Sequence, residues 1–375
     1  MDVYPVKFEP ILKRKIWGGR RLETLLGKRL PADDPIGESW EVADLEDDQS
    51  VVVNGSRRGE KLSELARSWE GELVGRAPLV DGRFPLLIKY LDAHDTLSVQ
   101  VHPNEETARN MGGRVRVKHE AWYVIAASET GFIYRGVRHG VDAGALRRAI
   151  AEKDVESVLN RIRVRKGHCY YLPSGTIHAL GAGVLVAEVQ TPSDVTYRVY
   201  DWDRIDPTTG SARELHVDQA IACTSFHTGQ VAGESPQHVG DVWMTVTHLV
   251  RCESFAINRV RVAAGAEQRI PAGEFSIWMV LQGTGAITYA SSEHGRNASV
   301  PFGVGDTILL PAGLKQARVQ PAADCTWLEI GYPIPSSLAP TDRSGRAGVQ
   351  NVAPGGPPVQ SDIPANYDSR KSSCE

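Results

Sequence analysis

Along most of the chain, apolar residues come in short runs closed by Gly or Pro, as in "SVVVNG", "FPLLIKYL", "TLSVQVHP", "AWYVIAA" and "GVLVAEVQ". Runs of this length, rich in β-branched and aromatic residues, predict the strands of a sandwich or barrel rather than alternating βα units. Two stretches break the rhythm. "DAGALRRAIAEKDVESVLNRI" from Asp142 and "ARELHVDQAIAC" from Ala212 have helical spacing and good helix formers, so they read as short helical insertions on a mostly β scaffold. The last segment, "SGRAGVQNVAPGGPPVQSDIPANYDSRKSSCE", is rich in Pro, Gly and Ser and poor in apolar residues, which predicts a disordered tail.

The pattern also repeats. "EAWYVIAASETG" from Glu120 aligns with "SIWMVLQGTGAI" from Ser276, and "KGHCYYLPSGTIHAL" with "VGDTILLPAGLKQAR". In both copies a Gly stands before the Pro of an "LPxG" turn, Gly167 before Pro173 and Gly305 before Pro311, which implies two related β units. The two blocks lie farther apart in the first copy, and the helix near residues 142 to 160 accounts for most of the excess.

Within "LSVQVHPNEET", alternation along a strand points Gln100 and His102 to one face, with Ser98 beside them. Glu120 heads an apolar strand and His178 follows a tight turn. One carboxylate, two imidazoles and one amide oxygen form a four-ligand set for a divalent metal. In the second copy Glu120 is replaced by Ser276 and His178 by Gln316, while the apolar and turn residues around them are kept. The scaffold itself therefore does not require Glu and His at these positions. A neutral amide and a single carboxylate favour Zn²⁺ acting as a Lewis acid over an oxygen-activating iron.

Composition narrows the partners. The chain has 375 residues and a formal charge of −4, with no long-range pull on polyanions, so neither nucleic acid nor an acidic membrane is expected. No apolar run reaches the ~18 residues of a membrane helix, and the N-terminus lacks a signal-peptide core. The five cysteines (Cys169, Cys223, Cys252, Cys325 and Cys374) form no CxxC pair. A soluble, cytoplasmic protein is the expectation. The "GAGVLV" stretch is not a nucleotide loop, because a strand follows where a helix would have to start.

In order and spacing, "KIWGG" at Lys15 to Gly19, "GESWEV" at Gly37 to Val42, "PLLIKYLDAHDTLSVQVHP" at Pro85 to Pro103, "KHEAWYVI" at Lys118 to Ile125, "LPSGTIHAL" at Leu172 to Leu180 and "EVQTPSDVTYRVYDWDR" at Glu188 to Arg204 resemble the type I mannose-6-phosphate isomerases in their short bacterial form, and "RELHVDQAI" at Arg213 to Ile221 resembles the helix that follows. The resemblance spans roughly residues 5 to 335. It implies two cupin-type (jelly-roll) β-barrels: a catalytic domain over 1–235 that carries the helical insertions, and a domain without a metal site over 236–338, with the tail at 339–375. The implied reaction interconverts mannose 6-phosphate and fructose 6-phosphate through a cis-enediol, with one Zn²⁺ per chain on Gln100, His102, Glu120 and His178.

The family's active-site arginine falls on Arg198. The proton-moving base is open among Glu188, Asp194, Lys118 and a metal-bound water, while Lys89, Ser98 and Arg198 are the donors the matched segments offer a phosphate. His119 departs from the family, whose short members commonly carry a small or hydroxyl residue there. A monomer or homodimer is expected. Two other readings compete: a non-catalytic sugar-phosphate-binding protein and an iron oxygenase.

Overall fold

A computed structural model describes residues 3–32, 34–112, 115–206, 209–226, 237–291 and 296–333. The expected tail at 339–375 and the boundary expected at 235/236 both fall outside the described residues. Residues up to Pro333 form one compact unit.

The chain is mostly β, as its apolar runs predict. "FPLLIKYL" leads into the strand Leu87–Ala93, "TLSVQVHP" contains Val99–Val101, and "AWYVIAA" and "GVLVAEVQ" become Glu120–Ala127 and Val184–Gln190. Six strands form one sheet in the order Cys169–Leu172, Glu120–Ala127, Val184–Gln190, Leu87–Ala93, Ile36–Val42, Ile11–Gly19. A five-stranded sheet runs Tyr197–Tyr200, Val99–Val101, His178–Leu180, Phe132–Val137, Leu159–Arg163. Among the described residues neither sheet closes on itself, so the barrel expected here takes the form of open sheets.

Alternation decides what each sheet face meets. Trp122, Val124, Val186 and Leu91 of the six-stranded sheet pack with Ile133 and Leu180 of the five-stranded one in one apolar cluster. The opposite face of the six-stranded sheet carries Ala121, Tyr123, Ala187 and Val189, which share a core with Phe255, Ile257, Ile277 and Leu309 of the C-terminal half. Val99, Val101 and Ala179, on the other face of the five-stranded sheet, pack with Leu146, Ala220 and Cys223 of the helices Ala143–Ala151 and Val217–Cys223.

Both expected helices are shorter than their apolar spacing suggests. After Ala151, Lys153 takes a positive φ of 60°, a 3-10 turn follows at Val155–Val158, and Leu159–Arg163 becomes a strand paired with Phe132–Val137. Pairing at a sheet edge satisfies this segment's backbone groups as a helix would, and tertiary context decides between them. The second helix starts only at Val217 because Arg213 is held by Asp201 and the His216 N–H donates to the Arg198 carbonyl.

The internal repeat is realised to the residue. Leu172 faces Glu120 and Tyr170 faces Trp122; in the second copy Leu310 faces Ser276 and Ile308 faces Trp278. Gly167 N–H donates to Val124 O at 2.8 Å and Gly305 N–H to Val280 O at 2.9 Å. The two turns close alike, through Thr176 N–H to Pro173 O and Leu314 N–H to Pro311 O. The N-terminal strand Val6–Glu9 pairs with Thr307–Leu310 and so stitches the chain's start into the second copy's sheet.

Gly167 and Gly305 have φ of 91° and 84°, a region that L side chains rarely adopt. They differ in what surrounds them: a Cβ on Gly167 would meet only Arg259 Nη1 at 3.4 Å, whereas one on Gly305 would lie 1.9 Å from Leu26 O. Gly167→Ala is expected to cost about 1–2 kcal/mol from backbone strain alone, and Gly305→Ala about 1–3 kcal/mol more from the clash. Denaturant midpoints of the two variants check the difference; equal losses would refute it.

Candidate metal centre and surrounding pocket

The site begins with strand register. Gln100 lies directly opposite His178 on one side and Arg198 on the other, and His178 is in turn opposite Arg135. Directly opposed residues of antiparallel strands share a face, so Arg198, Gln100, His178 and Arg135 form one polar row across the five-stranded sheet. In the six-stranded sheet Glu120 lies opposite Gln190, and two residues along, Trp122, Glu188 and Lys89 form a second row.

Glu120, His102 and His178 bring their ligating atoms within 4.8 Å of one another, and all three side chains are buried. Glu120 Oε1 is 2.9 Å from His178 Nε2, and Oε2 is 3.4 Å from His102 Nε2 and 2.9 Å from Lys118 Nζ. Lys118 Nζ is also 3.1 Å from His102 Nε2. The imidazole tautomers follow from their outer partners: His102 Nδ1 donates to Val195 O at 2.9 Å and His178 Nδ1 to Thr176 O at 2.8 Å. Each ring therefore aims an Nε2 lone pair at the carboxylate, the arrangement in which an imidazole binds a metal. Gln100 Nε2 is 3.2 Å from His178 Nε2, and a turn of the amide would put Oε1 there instead.

The charges agree with this arrangement. Burial pushes the Glu120 carboxyl up, but Lys118, His178 and His102 together pull it well below the usual range. Burial, with Lys118 beside it, drops His102 to about 3 against the opposing pull of Glu120, so the ring is neutral. Although its neighbours are this near, neither Glu120 oxygen has a well-aligned hydrogen bond. A buried anion with two imidazole Nε2 edges aimed at it and no well-aligned hydrogen bond of its own fits a divalent cation.

Around this centre lies a charged network. Glu188 accepts from Trp122 Nε1 at 2.9 Å and sits 3.1 Å from Lys89 Nζ, which also donates to Gln190 Oε1 at 2.7 Å and lies over the Trp40 ring. Burial alone would lower the Lys89 pKa, but Glu188 and Glu38 raise it. Glu38 pairs with Lys15 at 3.0 Å and accepts from Trp40 Nε1; burial raises its carboxyl, and Lys89 and Lys15 bring it below the usual value.

Beside Arg198 opens a cleft of about 430 Å³ whose lining includes Arg14, Lys15, Trp17, Arg204, Asp206 and Arg213. Asp201 alone holds both Arg204 and Arg213. Arg198 itself donates to the Glu214 carbonyl at 2.8 Å, keeps a buried Nε without a hydrogen-bond partner, and has its pKa lowered by burial and by Arg213.

The structure thus brings Gln100, His102, Glu120, His178 and Lys118 together. Ser98, Lys89 and Glu188 lie buried nearby, and Arg198 stands beside Arg213 and Arg204, which line the cleft. Asp194 is apart from them: its side chain is exposed, in a depression it shares with Asp44, Glu46, Asp47 and Asp48. Glu38, Arg135 and Gln190 were missed as candidate site residues. Glu38 left a signal, an acidic residue two positions before Trp40 in "GESWEV"; Arg135 became visible only through its register with His178.

Residues 6–124 match the family model described as phosphomannose isomerase type I, catalytic domain. The chain is 35% identical to mannose-6-phosphate isomerase ManA of Bacillus subtilis (strain 168) over 328 residues, covering 87% of this chain and 98% of that protein. It is also 35% identical to the mannose-6-phosphate isomerase of Streptococcus mutans over 311 residues, covering 83% and 93%. The crystal structure of the B. subtilis mannose 6-phosphate isomerase superposes with a TM-score of 0.78 at 33% identity, covering 87% of this chain and 99% of that one. With near-complete coverage of its relatives and a charged centre buried on the same scaffold, the chain belongs to the type I phosphomannose isomerases.

Proposed function

We propose that the protein is a zinc-dependent isomerase interconverting mannose 6-phosphate and fructose 6-phosphate through a cis-enediol. The observation that carries the reading is the buried convergence of His102, Glu120 and His178, two imidazoles and a carboxylate, in a chain whose relatives bear that name. Gln100, His102, Glu120 and His178 would hold the ion, Gln100 through its amide oxygen. When bound, Zn²⁺ supplies a Lewis acid that favours negative charge on the sugar's O1 and O2.

The chain's own residues do the rest. A 1,2-hydrogen shift needs a base that takes a proton from one carbon and returns it to its neighbour. Glu188 is that base in our reading: it faces the interior two residues along its strand from Gln190, about 7 Å from the row of Glu120. Lys89 and Trp122 hold its carboxylate in one orientation. Lys118, buried against Glu120, stabilises charge developing on the oxygens. Asp194, exposed and pointing elsewhere, is the weaker candidate.

The phosphate belongs in the cleft beside Arg198, where Arg204 and Arg213 share one carboxylate and so leave net positive charge. Buried Lys89 then serves Glu188 rather than the phosphate. The same reading treats the halves 1–235 and 236–338 as two cupin-type units derived by duplication, the second without a metal site. It places the enzyme in the cytoplasm.

Chelation of the purified protein is expected to abolish turnover of mannose 6-phosphate and added zinc to restore it, as read in a coupled assay; turnover that survives complete metal removal would overturn the zinc reading. Glu188→Gln keeps an acceptor for Trp122 but removes the base, so kcat should fall by roughly 10²–10⁴ with zinc content unchanged. Arg213→Ala should raise KM roughly ten- to a hundredfold while kcat moves little, the mark of a lost contact that ground and transition states share. Steady-state kinetics of the two variants test both assignments.

A further inference from the structure

Strand alternation sends Lys118 and Glu120 inward and turns His119 to the opposite face, towards the C-terminal half. There His119 is buried, with its backbone anchored at both ends: its carbonyl accepts from Thr191 N–H at 3.0 Å and its N–H donates to Thr191 Oγ1 at 3.2 Å. Its ring has three partners. The Ser174 backbone N–H lies 3.3 Å from Nδ1, and a backbone N–H can only donate, so Nδ1 carries the lone pair and Nε2 the proton. Nε2 then donates to Glu253 Oε1 at 3.1 Å, and the Tyr171 hydroxyl, 3.1 Å from Nδ1, also donates to it.

These partners belong to three different parts of the molecule. Ser174 lies in the turn that precedes His178, and Thr176 two residues on fixes the His178 tautomer through its carbonyl. Tyr171 sits on the strand paired with the one headed by Glu120, and Glu253 lies between the C-terminal strands Met244–Arg251 and Ala256–Val262. The internal repeat provides a control. In the second copy the position of His119 is Phe275, and that of Ser174 is Ala312, both buried and apolar. The turn and strand therefore form without a ring bond between them, and the histidine accompanies the copy that carries Glu120 and His178.

We propose that His119 is a positioning residue: it fixes the separation between the strand start carrying Lys118 and Glu120 and the turn delivering His178, with its tautomer set by the Ser174 N–H and its Nε2 proton accepted by Glu253 of the C-terminal half. For its zinc readout the proposal rests on the metal reading above; its kinetic readout stands apart from it. Groups just outside a metal's ligands typically alter its affinity ten- to a hundredfold when removed.

The test uses the full chain, stripped of metal, with zinc affinity measured by competition against a chromophoric chelator. kcat and KM on mannose 6-phosphate and the thermal midpoint of the metal-free form are recorded alongside. His119→Leu should lower zinc affinity roughly ten- to a hundredfold and reduce kcat more than it changes KM. His119→Asn should recover most of both, since its side-chain oxygen takes the place of Nδ1 and accepts from Ser174 N–H. Zinc affinity and kcat unchanged in His119→Leu, or lost equally in the Leu and Asn variants along with thermal stability, would overturn the proposal. If the Leu variant does not fold, Glu253→Ala and Tyr171→Phe each remove one bond to the same ring. Weakened zinc binding in either supports the proposal, and wild-type affinity in both overturns it. A wild-type chain that takes up no zinc would overturn the metal reading alone; the kcat loss in His119→Leu and its recovery in His119→Asn would then decide the positioning role.

Discussion

An ionised carboxylate sealed between two sheets must be compensated where it lies, and the catalytic half is organised around meeting that demand for Glu120. Glu120 is buried, so the compensation comes from a side chain, the Lys118 ammonium, while the two imidazole edges beside it leave room for a cation. Those groups come from both sheets, with Glu120 on one and Gln100 and His178 on the other. The relative placement of the sheets is therefore part of the site, and the apolar cluster built on Trp122, Val186 and Leu180 is what sets it. The buried charges beside it, Glu38, Lys89 and Glu188, alternate in sign and offset one another.

The internal repeat separates what the scaffold needs from what the site needs. Glu188 faces Trp122 and Lys89; in the second copy Glu329 faces Trp278 and Asn258 in the same register. The Glu–Trp pairing thus belongs to the scaffold. Lys89 belongs to the site, and its absence from the second copy has a visible result: burial raises the Glu329 carboxyl, with Asn258 and Trp278 only partly offsetting it. At the position of His178 the second copy has Gln316 with a left-handed φ of 55°, a local conformation that takes the side chain out of strand alternation.

Among the described residues the clustered groups His102, Glu120 and His178 all come from the N-terminal half, and the C-terminal half reaches them only through their neighbours. Its sheet shares a core with the outer face of the six-stranded sheet, behind Glu120 and Trp122, and Glu253 touches the ring of His119. The N-terminal strand Val6–Glu9, paired with Thr307–Leu310, ties the two halves together from the other end of the chain. What holds Glu120 in place thus includes residues more than a hundred positions away in sequence.

The sequence by itself determined the mostly β class, the strands around Gln100, Glu120 and His178, the repeat and the candidate cluster of His102, Glu120 and His178, because each rests on period-two alternation or on a local turn such as "LPSG". Only the tertiary structure decided the rest. Residues 159–163 became a strand because Phe132–Val137 offered an edge, and Arg135 and Glu38 joined the site because cross-strand register, which no local pattern encodes, put Arg135 opposite His178 and an ion pair bound Glu38 to Lys15. Asp194 sits in the segment that supplies Arg198, yet the chain's path leaves it in solvent. Sequence reports the face a residue takes on its own strand, whereas proximity across strands depends on pairing, and pairing is settled only when the cores close.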